Sequence, residues 1–188
     1  SDLLVALVIV VSYLGVAYSK GKSANVYIVN GLSQPYDVRV NGQTCRLKPL
    51  GRYHVRLAEG TVRVEVVGDW PEIEPQEHRI RSSLLARPFR NRVWVINPDG
   101  TAPVIWEKIW YVEEGHTAPE SDGQLYVGET LYSFHNVDCC FVDMPEEITM
   151  TGSKEARTGL RLLNETTEPL ELFNFVSNTL GEESARTY

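Results

Sequence analysis

The chain opens on an uninterrupted apolar run, Leu3 to Tyr18, that carries no charge and is followed at once by Lys20 and Lys22. No polar stripe divides it, which argues against an amphipathic helix lying on a surface. At about 1.5 Å per residue the run covers roughly 24 Å, and Ser19 with a few upstream residues would bring it to the ~30 Å of a hydrocarbon core. We therefore expect a single transmembrane helix over residues 1–20, with Leu3, Leu7, Val11 and Leu14 as anchor residues in membrane lipid. The other readings are the apolar core of a secretion signal, which fits badly without basic residues ahead of it, and a buried helix. Ser1 opens the chain instead of Met, and 180–188 breaks off within a helix-favouring stretch. The natural chain is accordingly expected to extend past both ends.

After a short linker at 21–24 the pattern changes to a period of two. Residues 25–30, 36–40, 44–48, 53–57 and 61–67 read as strands, separated by Gly, Asn and Pro. Asn41-Gly42 is a two-residue hairpin turn, since both of its central positions need positive φ. Short strands at this spacing predict a small antiparallel sandwich at 24–68. Residues 70–77, with Pro71 and Pro75, read as an acidic linker. Strand character returns at 92–96 and 104–112, and again at 125–127 and 131–142. We expect a second β-rich region at 78–176, including a hairpin over 160–175, then a tail at 177–188 that starts a helix. The fold class is thus mainly β: a transmembrane helix followed by antiparallel sandwich modules.

An internal echo runs through these strands. Val26 to Asn30 followed by Pro35 matches Leu160 to Asn164 followed by Pro169 at identical spacing, and Val93 to Asn97 followed by Pro103 fits with one residue inserted. The shared content is a strand, a turn opened by Asn, and a Pro that sets entry to the next strand. Convergent turn chemistry and true duplication both explain it.

A hydrophobic content of 43% with 23% charged residues is that of a folded chain. The net charge of -7 argues against a nucleic-acid partner, which would need clustered Lys and Arg on its phosphates. Locally, however, 78–92 is basic and 115–150 acidic. Two solvated faces explain this, and docking on an anionic partner or lipid head group is the alternative. Cys45, Cys139 and Cys140 make no disulfide framework, and one bridge from Cys45 to either Cys139 or Cys140 stays open.

The segment from Val29 to Val67 resembles a PEGA-type, carboxypeptidase-regulatory-like β-sandwich module. The resemblance is carried by the Asn41-Gly42 hairpin, the strand from Cys45 to Pro49, and the alternating runs Gly51 to Leu57 and Glu59 to Val66. Glu59-Gly60 stands where that family usually has Pro-Gly. The resemblance implies a non-catalytic module, often found outside the cytoplasm beside a membrane anchor, and brings no catalytic residues. Lys20 and Lys22 behind the helix, with only Asp2 ahead, would favour a cytoplasmic body. Weighing both, we expect the soluble part on the extracytoplasmic, periplasmic side.

Candidate chemistry is sparse. His135 and Cys139 lie on one face of an extended segment, so a metal would need further ligands from His54, His78, His116 or Cys45. The plainer reading is small buried cysteines in a strand. No third group orients a Cys139–His135 pair for catalysis. Glu113-Glu114 and Glu146-Glu147 read as solvated, and no glycine-rich phosphate loop is present. Asn164-Glu-Thr166 matches a glycosylation sequon. In the 104–112 strand Trp106 and Trp110 share one face and Tyr111 the other; with Trp94 these aromatics serve either as core or as a docking surface.

We therefore expect no catalytic, cofactor or metal residues. The expected role is that of a membrane-anchored accessory or scaffolding subunit docked on the other protein subunits of a larger membrane complex. Two alternatives stand beside it: a module binding envelope polysaccharide or another surface polymer, and a metal or redox protein using His135 and Cys139.

Overall fold

The computed structural model describes residues 2–68, 73–85, 87 and 91–163. The apolar run forms one helix, α1 (Asp2–Gly21), whose side chains are exposed almost throughout. The strands follow as β1 (Ala24–Val29), β2 (Tyr36–Val40), β3 (Gln43–Leu47), β4 (Arg52–Leu57), β5 (Gly60–Val67) and β6 (Gln76–Ile80). The second half supplies β7 (Arg92–Ile96), β8 (Val104–Val112), β9 (Asp122–Tyr126), β10 (Leu131–His135), β11 (Cys139–Cys140) and β12 (Lys154–Leu162). The mainly β class with an N-terminal apolar helix is therefore what the chain adopts. The proposed tail at 177–188, most of the hairpin over 160–175 and Trp70 lie outside the described residues.

The strands form three sheets stacked in layers. The central sheet has the order β10-β7-β1-β4; one outer sheet is β3-β2-β5-β6 and the other β11-β12-β8-β9. Alternation explains the layering. In β1, Val26 and Ile28 face the first outer sheet, where they meet Val38, Leu47, Val62 and Val64. Tyr27 and Val29 point the other way, into a core with Val104, Leu160 and Leu162 of the second outer sheet. β7 behaves likewise, Trp94 and Ile96 on one side and Val93 and Val95 on the other. Strands buried on both faces lose the polar alternation of half-buried ones. That is why Val26 to Val29 and Val93 to Ile96 read as nearly continuous apolar runs.

The chain visits the layers in a repeated itinerary: central, outer, outer, central, outer, outer, first with one outer sheet and then with the other. The echo between β1 and β7 belongs to this repeat. The two strands are neighbours in the central sheet and pair in parallel, Val26 against Trp94 and Ile28 against Ile96. The third echo does not share that role, because Leu160 and Leu162 sit in outer strand β12, antiparallel to β8.

Three local expectations change. The stretch read as linker to residue 77 contains the start of β6, which pairs antiparallel with β5 and joins the first outer sheet. Its alternation is short and polar, and only pairing with β5 buries His78 and Ile80. β12 starts at Lys154, six residues before the expected hairpin over 160–175, held there by its full-length pairing with β8. The extended stretch 131–142 is broken at Asn136 and Phe141, both with positive φ, so β10 ends in the central sheet and β11 starts in an outer one.

The Asn turns that close β1 and β7 interlock. Asn30 Nδ2 donates to the carbonyls of Gln34 (2.9 Å) and Lys48 (2.8 Å), and its Oδ1 accepts from Leu32 N (2.8 Å). Asn97 closes its own loop on both polar groups of Ala102. Asp99 then joins the two turns: Oδ2 accepts from Gly31 N (3.1 Å) and the Tyr36 hydroxyl (2.7 Å), while Oδ1 accepts from Thr101 N and Oγ1. Burial, and then the Asp99 carboxylate, hold the Tyr36 phenol protonated far above its ordinary range. The turns approach so closely that a Cβ on Gly31 would stand 2.2 Å from Ala102 N.

Gly31→Ala should therefore cost about 3 kcal/mol by overpacking, lowering the thermal midpoint by roughly 6–12 °C in a chain of this size. Differential scanning calorimetry checks this, and an unchanged midpoint would contradict the interlock. His78 supplies a pH signature. It is buried, with Nε2 2.9 Å from Gln76 Oε1, and desolvation holds its pKa below the ordinary 6.5. The unfolded chain then binds a proton that the folded chain refuses, so stability is full above 6.5 and falls as pH drops below it. Urea midpoints across that range should show the slope in the parent protein and a shallower one in His78→Gln.

Candidate functional site: the junction of helix and sheets

The aromatics singled out in the sequence do not form one surface. Trp94 is 7% exposed, packed between the central and first outer sheets with the Arg92 guanidinium 5.2 Å from its ring centre. Trp106 is half-buried against the core of the other interface. Trp110 lies farther along β8 under the Lys108 ammonium, 4.5 Å from its ring centre. Tyr111, on the opposite face of the strand, donates its hydroxyl to the Pro145 carbonyl at 2.5 Å.

His135 and Cys139 are also separated. His135 ends β10 in the central sheet, where Arg92 Nε donates to its Nε2 at 2.9 Å. Cys139 belongs to β11 in an outer sheet, paired with Gly159. Among the described residues no three His, Cys, Asp or Glu side chains are grouped to hold a metal. All three cysteines are free thiols. Burial pushes the Cys140 thiol up to about 11, opposed by a hydrogen bond with the Tyr27 phenol, and burial raises Cys45 as well. Neither is a thiolate nucleophile near neutral pH.

A denser polar constellation lies where α1 meets the sheets. The helix passes into β1 through Lys22 and Ser23 alone. Its terminal carbonyls are capped by the body: Glu59 N donates to Gly21 O at 2.9 Å, and Arg87 Nη1 lies 3.5 Å from Ala17 O. Arg87 Nη2 pairs with the Glu59 carboxylate, and Nε donates to Ser82 Oγ at 3.1 Å. Ser82 in turn donates through N and Oγ to the same carboxylate. The pair is well withdrawn from water, with side chains 16% and 10% exposed for Arg87 and Glu59. Gly21 permits the contact, since a Cβ there would lie 2.7 Å from Arg87 Nη1. Higher on the helix, Tyr13 donates its hydroxyl to the Leu85 carbonyl. Ser82, Leu85 and Arg87 are thus strapped along the last turns of α1, and Ala17 beneath them is the one buried residue of the helix.

Beside the strap is a cavity of about 320 Å³, lined by Ser19, Lys20, Asn25, Ser82, Arg87 and Arg92 among others. The sequence signals for this junction are the arginines of 78–92 and the isolated Glu59. What the pattern could not show is that Arg87 turns inward. The anchor residues Leu3, Leu7, Val11 and Leu14 are all exposed, on a helix long and apolar enough to cross a membrane. A helix of this kind near an N-terminus serves as a membrane span or as a signal sequence.

Comparison with known proteins finds no family model that matches the chain and no curated protein similar to it.

Removing the Glu59 carboxylate leaves Arg87 an unpaired, largely buried cation. Glu59→Ala should destabilise the junction by about 3 kcal/mol. Hydrogen exchange should accelerate at Ser82, Leu85 and Arg87 and in the last turn of α1 while the central sheet stays protected; unchanged exchange at the strap would show that the pair does not hold it.

Proposed function

We propose that the chain is a non-catalytic, single-pass membrane-anchored accessory subunit that docks its β body on a larger membrane protein complex, the body lying on the extracytoplasmic side. The observation that carries this reading is the stiff junction. A two-residue connection, a capped helix terminus and the Glu59–Arg87–Ser82 cluster leave the body little freedom to swing about α1. A module that captures ligands from solution gains reach from a long flexible tether. A part that must sit at one angle against fixed neighbours gains from losing that freedom before it assembles. Ser12 and Gly15, three apart on one exposed face of α1, and Ala6 on another are small residues that allow close helix packing. The likeness of 29–67 to PEGA-type modules, which are often envelope components, agrees with this assignment.

Gentle detergent extraction from the native membrane, followed by native electrophoresis and mass spectrometry, tests the reading. The expected result is a large assembly with fixed stoichiometry. Migration as a lone monomer would overturn it and favour a free-standing anchored module, such as one for envelope polysaccharide.

A further inference from the structure

The junction cavity has a chemistry that the docking role leaves unused. Its lining brings together three cations, Lys20, Arg87 and Arg92, against the single carboxylate of Glu59; the other polar groups are hydroxyls and amides, including Ser19, Ser82 and Asn25. The arginines are held in place before any ligand arrives. Arg87 is fixed by Glu59, Ser82 and the Ala17 carbonyl. Arg92 is fixed by the Arg81 carbonyl at 3.0 Å, by His135 and by the face of Trp94. A helix C-terminus alone repels anions, but here its terminal carbonyls are met by Glu59 N–H and Arg87, and Lys20 stands beside them.

Depth along α1 narrows the ligand. If the helix spans a bilayer, its 20 residues cover about 30 Å and its end at Lys20 reaches the head-group level. The cavity opens at that level. Tyr13, which holds the Leu85 carbonyl, lies seven residues earlier, roughly 10 Å deeper. Leu84 and Leu85, apolar side chains at the tip of the strap, are 44% and 73% exposed. Cations at the surface and bare leucines below them match the order of phosphate and acyl chains in a phospholipid.

We propose that the cleft between the end of α1 and Ser82, Arg87 and Arg92 binds the phosphate of an anionic phospholipid, with Leu84 and Leu85 seated among the acyl chains of the same leaflet. The site rests on the reading of α1 as a membrane span, and it orients the β body against the bilayer as well as on the helix.

The test uses the full chain in nanodiscs of phosphatidylcholine containing a minority of phosphatidylglycerol, with the lipids retained by the protein counted by native mass spectrometry after release. Retained phosphatidylglycerol should be enriched over its share of the disc. Lys20→Gln with Arg92→Gln should lower that preference about thirtyfold, the equivalent of roughly 2 kcal/mol at 1 kcal/mol per basic residue and 1.4 kcal/mol per decade. Lys22→Gln removes a cation of the same sign and level that does not line the cavity, and should change it little. Equal losses from Lys20→Gln and Lys22→Gln as single variants would mean diffuse surface attraction and overturn the site. Displacement of the retained lipid by millimolar inorganic phosphate would overturn the lipid assignment in favour of a free anion. Leu84→Ser with Leu85→Ser should weaken retention without altering the thermal midpoint, and unchanged retention would refute the acyl contact. Failure of the parent chain to enter nanodiscs would overturn the membrane reading itself, whereas entry without lipid preference would overturn only the site.

Discussion

A sheet covered on both faces needs two partners, and the central sheet of this protein is assembled so that neither half of the chain supplies both. β1 and β4 come from the first half and β7 and β10 from the second, joined by the parallel ladder between β1 and β7. Separating the halves would break that ladder, bare the edges of both central strands, and strip the cover from Tyr27 and Val29 of the first half and from Trp94 and Ile96 of the second. The repeated itinerary through the layers therefore produces one body with two cores. Asp99 reinforces the same seam with polar bonds, tying the turn after β1 to the turn after β7. Every other layer takes its position from this sheet.

The junction with α1 depends on that body in turn. Glu59 sits in the turn between β4 and β5, so its carboxylate is aimed by one strand of the central sheet and one of the first outer sheet. Arg87 arrives on the connection between β6 and β7, the passage between the two halves. The strap that steadies the helix is thus anchored at the point where both units meet. A helix attached at one chain end would otherwise pivot freely about Lys22 and Ser23. The fixed angle between helix and body underlies both the proposed assembly role and the proposed lipid contact.

Several of the polar groups singled out above are engaged in structural contacts. The buried amides of Asn30 and Asn97 are used in closing turns, and the Tyr36 phenol serves Asp99. The Cys140 thiol lies against Tyr27 within a core. His135 is engaged by Arg92 instead of facing Cys139, since β10 and β11 leave for different sheets after Asn136. Residues three or four apart share a site only if the element between them is regular, and here a positive φ at Asn136 breaks it.

How much was legible from sequence follows from the range of each interaction. The helix over the first turns of the chain, the Asn41-Gly42 hairpin and the strands from Tyr36 to Val67 depend on hydropathy and turn chemistry within a few residues, and they are where the pattern puts them. The kinship of Val26 to Asn30 with Val93 to Asn97 was visible too, because the same turn chemistry needs the same residues. Other features depend on partners far away in the chain. The polar strand β6 exists because β5 offers it a ladder, and β12 runs to Lys154 because β8 does. Trp94 is core and not surface because a second sheet lies over it. Arg87 looked like any solvated arginine until Glu59, 28 positions earlier, was brought beside it. Local periodicity sets which face of a strand is apolar; only the tertiary stack decides what covers that face, and which charges the covering layers turn inward.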